Sequence, residues 1–558
     1  MKLRLACVLF MAMLLTWTSQ FARAYEITVF GTVKDKASGV PLDSALVEIR
    51  VPNIGKSDTL LTNFTGSWSH TFQITGVAET SPIPVSFSLS QNYPNPFNPS
   101  TRIDFSIYQA GQVTITVHNI LGQQLDSKSV FLTPGGYFRE WFAKGGSGVL
   151  FYSIEMNPVR YSSSHGVNHR RWTRKMLQLV GGNGGLGEVT PGSVGSQTTF
   201  LTKTDTLRGI ILASRLGYEP DSVTIVLTGN HQVDFLLDWL HTKAFVIDLH
   251  NDVLEKVVGN GYQLGFRHDY NQSDLPRFFE GGVDAQMFAI WVDPGTYLNT
   301  AYQQALNFVN AFNTEVALNS DSLAQARNAE EIHRMNAEGK LAGVLAVEGG
   351  HAIENDLEKL KELYHKGMRC FTITWNNSTD WAASAQNPQS ATKGLSDFGK
   401  QVIRTLDSLG VIIDVSHTGI KTIQDILSIT KNPIIASHSG ARALRDHYRN
   451  LYDNQIVAIA NTGGVIGVVF YPSFLSPSRH ADIETVKAHI DHIVHLVGID
   501  HVALGSDFDG ISSTPVGLED VSQLPHLTMA LLKHGYSNAE VKKILGENFL
   551  RVFREVCH

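Results

Sequence analysis

Cysteine is scarce, with three in 558 residues. Cys7 falls in the first two dozen residues, which leaves Cys370 and Cys557, too few for a disulfide framework. Cys370 lies in an apolar strand pattern and reads as a buried free thiol. Basic charge is not in excess: 45 Lys and Arg stand against 52 Asp and Glu, for a formal net charge of −7. With no nucleic-acid-binding motif in view, that balance excludes nucleic acid as a partner. Long apolar runs are missing too. After residue 24 nothing approaches the roughly 20 unbroken apolar residues that span a bilayer, so no transmembrane segment is expected.

What is there is an ordinary globular composition, 43% hydrophobic, over a length that calls for about three or four domains. Residues 1–24 read as a secretory signal: Lys2 and Arg4, an apolar stretch from Leu5 to Trp17, then Ala22-Arg23-Ala24 as a cleavage site. The expectation is an exported protein, periplasmic, cell-surface or secreted after cleavage near Ala24. From Tyr25 the pattern is alternating strand. Gly31-Thr-Val-Lys-Asp, Gly39-Val-Pro-Leu-Asp-Ser-Ala and a hairpin around Thr62–Phe72 resemble a carboxypeptidase regulatory-like β-sandwich. Its last strands reappear at Gly209–Leu237, so residues 25–80 plus 200–238 read as one sandwich split by an insertion, which exposed loop tips tolerate. The insertion, residues 85–180, opens with Tyr93-Pro-Asn-Pro-Phe-Asn-Pro and resembles a type IX secretion sorting domain, implying an outer-surface export machinery as partner. Residues 181–199 read as a Gly-rich linker. The basic run His169–Lys175 reads as a solvated hairpin edge.

From Ala244 the pattern changes. Apolar runs at Phe245–Leu249, Ala285–Val292, Gly343–Val347, Cys370–Trp375, Val411–Val415, Pro433–Ala436, Val465–Phe470 and His501–Leu504 alternate with helical stretches. Eight such units over residues 241–558 predict a (β/α)8 TIM barrel with its site at the strands' carboxyl ends. The chain as a whole is then multidomain, the barrel preceded by two small all-β sandwich domains. An open doubly wound sheet is the competing fold, but no Gly-x-Gly-x-x-Gly turn follows the first strand.

The residues at those strand ends carry the chemistry. His250 and Asp252 end the first strand, Glu348 the third, His417 the fifth, His438 the sixth, and Asp507 and Asp509 the eighth. Imidazoles and carboxylates of this kind suit zinc-type ions, and the set exceeds what one tetrahedral ion needs. It suits two ions bridged by a carboxylate.

In order along the barrel stand Asp248-Leu-His-Asn-Asp, Asp274-Leu-Pro-Arg-Phe, Gly281-Gly-Val-Asp-Ala-Gln, Val347-Glu-Gly-Gly-His, Asp414-Val-Ser-His, Ser437-His-Ser, Arg449-Asn-Leu and Gly505-Ser-Asp-Phe-Asp-Gly. On these strings residues 244–555 resemble the membrane (renal) dipeptidase family, zinc peptidases of the amidohydrolase-like barrel group. The resemblance implies an exported dipeptidase with two zinc ions that cleaves small dipeptides by a metal-bridging hydroxide. His250 and Asp252 would hold one ion, His417 and His438 the other, with Glu348 between them. Arg449 would pair with the substrate carboxylate, and Asp507 would pass a proton from water to the leaving amine. A homodimer is left open.

One position departs from that family. Where its best-known members place a histidine against the scissile carbonyl, this chain has Trp375. An indole donates one hydrogen bond and cannot become cationic. Trp375 and Asn376 are therefore expected at the substrate, with Asn376 or Asn377 as the substitute donor, and Tyr471 and Trp381 as pocket walls. The competing readings are a related amidohydrolase acting on another small amide or a lactone, and a catalytically dead surface-binding protein. His351 and His365 read as structural or surface groups, Asp509 as a loop-shaping residue, and His489, His492 and His495 as an exposed helix face.

Overall fold

The computed structural model describes residues 25–52, 55–74, 207–297 and 299–558, and between 88 and 191 the strands named below. The segment 1–24, the Tyr93–Pro99 string and the run His169–Lys175 lie outside them. Two compact units emerge. One holds Val29–His70, Arg208–Val226 and His231–His558, and the other is built around the strands between 88 and 191.

The second unit consists of antiparallel sheets. One runs Leu177–Val180, Val149–Pro158, Gly111–Asn119, Gln124–Leu132, and the other Gly184–Pro191, Gly135–Ala143, Ser100–Ile107, Ser88–Leu89. Val113, Ile115 and Val117 are buried at alternate positions, the period-2 signature of a strand with one inward face. The reading of 181–199 as a linker needs correction here. Gly184–Pro191 pairs with Gly135–Ala143, with a register shift between Leu186 and Val189. Its glycines suit such an irregularity, and Val189-Thr190 supply strand-forming side chains.

In the first unit, strands from before and after the 88–191 region share sheets. Leu46–Val51 pairs antiparallel with Arg208–Ser214, Leu46 opposite Ser214. Tyr25–Asp35 pairs parallel with Phe235–Leu237, Val33 opposite Phe235. Trp68, Val47, Ile49, Ile211 and Phe235 are buried between them. From there Leu240–Lys243 leads into the barrel, and buried His241 ties the junction down through Thr528 Oγ1 and Gly281 O.

The barrel strands are β1 (Ile247–Asn251), β2 (Ala285–Trp291), β3 (Leu341–Glu348), β4 (Met368–Thr372), β5 (Ile412–Asp414), β6 (Ile435–Ser439), β7 (Val465–Val468) and β8 (Val502–Leu504). Each pairs parallel with the next, and β8 pairs with β1 through Asp248 and Leu504, so the sheet closes. The short strand Leu323–Gln325 adds on beside β3. Inside, Ile247, Met287, Val344, Cys370, Ile412, Ile435 and Ala503 form one apolar cluster. Phe549, Phe553 and Val556 of the C-terminal helix Asn548–Val556 join that cluster. Ala342, Val344 and Ala346 share a face of β3, and alternation carries Glu348 onto the same face at its carboxyl end. Cys370 and Cys557 are both buried free thiols. Among the described residues no helix is long and apolar enough to cross a membrane.

Candidate active site

Local irregularity, as much as strand register, turns the site residues toward the mouth. The β1–β2 ladder shifts register between Asp248 and Asn251, around His250, and the β6–β7 ladder shifts between Ala436 and Ser439, around His438. His417 and Asp507 have left-handed backbones, with φ of 63° and 64°. Such conformations cost a non-glycine residue free energy and collect at functional sites. Asp252 precedes the helix Val253–Asn260 at its N-cap position, with no capping bond from its side chain. Gly510 faces it so closely that a Cβ there would lie 2.1 Å from Asp252 Oδ2 and 2.8 Å from Asp507 Oδ1. Only glycine lets the two carboxylates share that corner.

Glu348 stands at the centre. Its Oε2 is 3.4 Å from His250 Nε2, and its Oε1 is 2.9 Å from His417 Nε2 and 3.6 Å from His438 Nε2. One carboxylate thus offers an oxygen to each side. His250 Nε2 also lies 3.3 Å from Asp252 Oδ2, yet it has no hydrogen-bond partner. The ligand atoms of His250, Glu348 and His438 converge within 4.8 Å of one another, and so do those of His250, Asp252 and Asp507.

The tautomers follow from the partners. Ser437 Oγ donates to the Asp414 carboxylate at 2.6 Å, so it must accept from His438 Nδ1–H at 2.8 Å. His417 Nδ1 lies 3.1 Å from Asn376 Oδ1, an acceptor, so it too carries the proton. Both Nε2 lone pairs then face each other across 3.0 Å, with a carboxylate oxygen beside them. Such a set of bare lone pairs repels itself unless a cation lies among them, so the residues fit a divalent ion of the zinc type. Burial holds His417 down to about 4 and His438 well below the usual imidazole range, with Arg449 adding to both, which keeps them neutral as ligands must be. Glu348 is pushed up by burial but held below the ordinary carboxylate range by His250 and His417. Burial raises Asp507 well above it, with Asp252 and Glu348 as like-charged neighbours.

Residues 237–558 match the membrane dipeptidase family, peptidase family M19. The chain belongs to that family. Solved structures agree. The dipeptidase AC, a metallopeptidase of family M19, is 28% identical, with a TM-score of 0.54 over 56% of this chain and 99% of that one. The probable dipeptidase PvdM from Pseudomonas aeruginosa is 27% identical, TM-score 0.53, over 57% of this chain and 96% of its own. A metallopeptidase from Rhodobacter sphaeroides, solved with a phosphinate mimic of the dipeptide L-Ala-D-Ala, is also 27% identical, TM-score 0.53, over 56% and 99%. Membership makes the chain a metal-dependent dipeptidase, a hydrolase of peptide bonds.

The dipeptidase cavity above Glu348 measures about 230 Å3 and is lined by Asp252, Glu348, His417 and Asp507 together with Trp375, Asn376 and Tyr471. Asn376 is engaged through its oxygen with His417, leaving its amide nitrogen as the donor. The Tyr471 hydroxyl pairs with Ser512 Oγ at 3.1 Å. Arg449 is buried beside this cavity rather than on its wall. Its Nη2 donates to His438 O at 3.1 Å, and its ring neighbour is Phe474 at 5.3 Å. Nε and Nη1 have no partner, so a buried guanidinium keeps two donors in hand. Asn377 lies in a neighbouring cavity with His351, whose Nε2 is 2.8 Å from Val292 O. Asp509 takes the Gln272 N–H at 2.9 Å, which fits its loop-shaping role.

Two expectations fail. Trp381 is no pocket wall but a core residue, 1% exposed, packed so tightly that a Cβ on Gly350 would lie 2.3 Å from its ring. His489 is not on an exposed face. It shares the buried stripe of helix Ile483–Val497 with Val486, Ile490 and Ile493. Its Nδ1 accepts from Ala441 N and its Nε2 donates to Leu475 O, both at 3.0 Å, stitching the loop that carries Arg449 to the turn that carries Phe474. His492 is half-buried on Asp453. Trp291 at the end of β2, Phe474 and Glu255 line the cavity and were not singled out from sequence. Trp291 ends an apolar run, and that position was the available signal.

Proposed function

We propose that this chain is an exported dipeptidase with two zinc ions, one held by His250 and Asp252, the other by His417 and His438, with Glu348 between them. The observation that carries the reading is the split carboxylate of Glu348, one oxygen toward His250 and the other toward His417 and His438. When bound, the ions supply Lewis-acid charge and an activated water. The chain's residues do the rest. Asp507, whose proton affinity burial has raised, accepts a proton at the mouth and delivers it to the leaving amine. Arg449, with Nε and Nη1 both unpartnered, offers charged N–H donors to the substrate's free carboxylate. Asn376 holds the His417 ring while its amide nitrogen faces the substrate. Trp375 narrows the cavity at 6.3 Å from the His417 ring. The signal-like segment 1–24 and the sorting-like string at 93–99 support export.

The test is hydrolysis of free dipeptides against their C-terminal amides by the zinc-supplemented protein. The free acids are expected to be strongly preferred. Arg449→Met is expected to lower kcat/KM on dipeptides by roughly ten- to two-hundredfold and to erase the preference, at unchanged metal content. If the unmodified enzyme cleaves the amides equally well, Arg449 reads no carboxylate, and the broader amidohydrolase reading leads.

A further inference from the structure

The circular order of strands gives the substrate a direction. Arg449 follows β6, and Tyr471 and Phe474 follow β7, while Glu255 follows β1, Trp291 ends β2 and Trp375 follows β4. In a ring of eight, β2 stands opposite β6 and β3 opposite β7. A dipeptide whose carboxylate is drawn to Arg449 therefore extends its amino-terminal residue across the mouth, toward Glu255, Trp291 and Trp375. This step rests on the dipeptidase reading above.

That far wall has a consistent chemistry. The two indoles meet edge to face, ring centroids 5.1 Å apart, a contact that covers one face of one ring and leaves the other ring's faces uncovered by it. A tryptophan face carries the negative lobe of the ring quadrupole and attracts a cation within about 6 Å. Glu255 supplies a formal charge of the same sign. Asp252, Glu348 and Asp507 belong to the clusters that converge on the metal-type site, whereas Glu255 belongs to neither. Its side chain is 41% exposed at the cavity rim, with one oxygen 3.2 Å from Lys256 Nζ. That neighbour is a surface pair of the kind that contributes little and leaves the second oxygen free. Among the described residues no lysine or arginine side chain lines the cavity itself.

We infer that the enzyme selects dipeptides whose amino-terminal residue has a basic side chain, seated against Trp291 and Trp375 with Glu255 as counter-charge. An aliphatic side chain packs on the indoles but gains neither the cation–π attraction nor the counter-charge, and an acidic one meets Glu255 as a like charge.

The experiment compares Arg-Ala, Lys-Ala, norleucine-Ala and Glu-Ala with the full-length, zinc-loaded enzyme. All four share the α-ammonium and the carboxylate, so only the side chain differs. Arg-Ala and Lys-Ala are expected to exceed norleucine-Ala about tenfold in kcat/KM, with Glu-Ala the poorest. Glu255→Gln and Trp375→Phe should each pull the Arg-Ala to norleucine-Ala ratio down to about threefold or less. Equal rates on Arg-Ala and norleucine-Ala in the parent enzyme, or an unchanged ratio in both variants, would overturn the inference while leaving the dipeptidase reading intact. Failure to cleave any dipeptide would overturn both.

Discussion

On the β1 and β8 side of the mouth, buried Asp248 accepts the Ser506 amide at 2.7 Å and its hydroxyl at 2.6 Å; on the β5 and β6 side, buried Asp414 accepts the Ser437 amide at 2.8 Å and its hydroxyl at 2.6 Å. The two devices match down to the residue types, but they end on different atoms. Ser437 Oγ goes on to the Nδ1 of His438, a ring. Ser506 Oγ instead accepts the N–H of Phe508 at 3.2 Å, a backbone. The same Asp–Ser pair therefore fixes a tautomer in one half and a chain position in the other. His438 and His417 receive their protonation pattern from Ser437 and Asn376, whereas His250 sits between Asp252 and Glu348 and answers to their charge. The lesson is that supporting residues of identical chemistry have different consequences, set by which atom comes next.

The change that breaks both halves at once is Glu348→Gln. Removing the charge shared by the two sides should cost at least one ion by elemental analysis, and activity by more than the roughly 100-fold that loss of a supporting partner costs. Ser437→Ala should break one half only, weakening metal affinity by about 10- to 100-fold in a chelator-competition titration, because His438 loses the acceptor that fixes its ring. Ser506→Ala sharpens the contrast from the other side. Metal affinity should hold, while Asp248, already pushed up by burial, loses a hydroxyl and the protein about 1–3 kcal/mol in a denaturant titration. Equal metal loss in Ser437→Ala and Ser506→Ala would mean that the two devices do not differ as described.

Much of this was legible before any coordinates. The eight apolar runs fall on β1 to β8 within a few residues, because fully buried strands read as short continuous apolar segments whatever surrounds them. The convergence of His250, Asp252, Glu348, His417, His438 and Asp507 on one mouth was legible because a barrel gathers its strand ends there. Depth and long-range pairing were not. Periodicity placed His489 on a helix but could not say that its face was the buried one. Ser506 meets Asp248 across 258 positions of sequence, a pairing that no local pattern encodes. The positive φ of His417 and Asp507 left little mark either, since His and Asp are enriched in such backbones but occur far more often outside them. Trp291 and Glu255 became site residues only when β2 and the helix after β1 were seen to share a cavity with β4.

Glu348 is proposed to serve two metal ions, one on each side. Elemental analysis of the protein purified with added zinc tests it most directly. Close to two ions per chain are expected in the parent and one or none in Glu348→Gln. A parent value that stays near zero would contradict it.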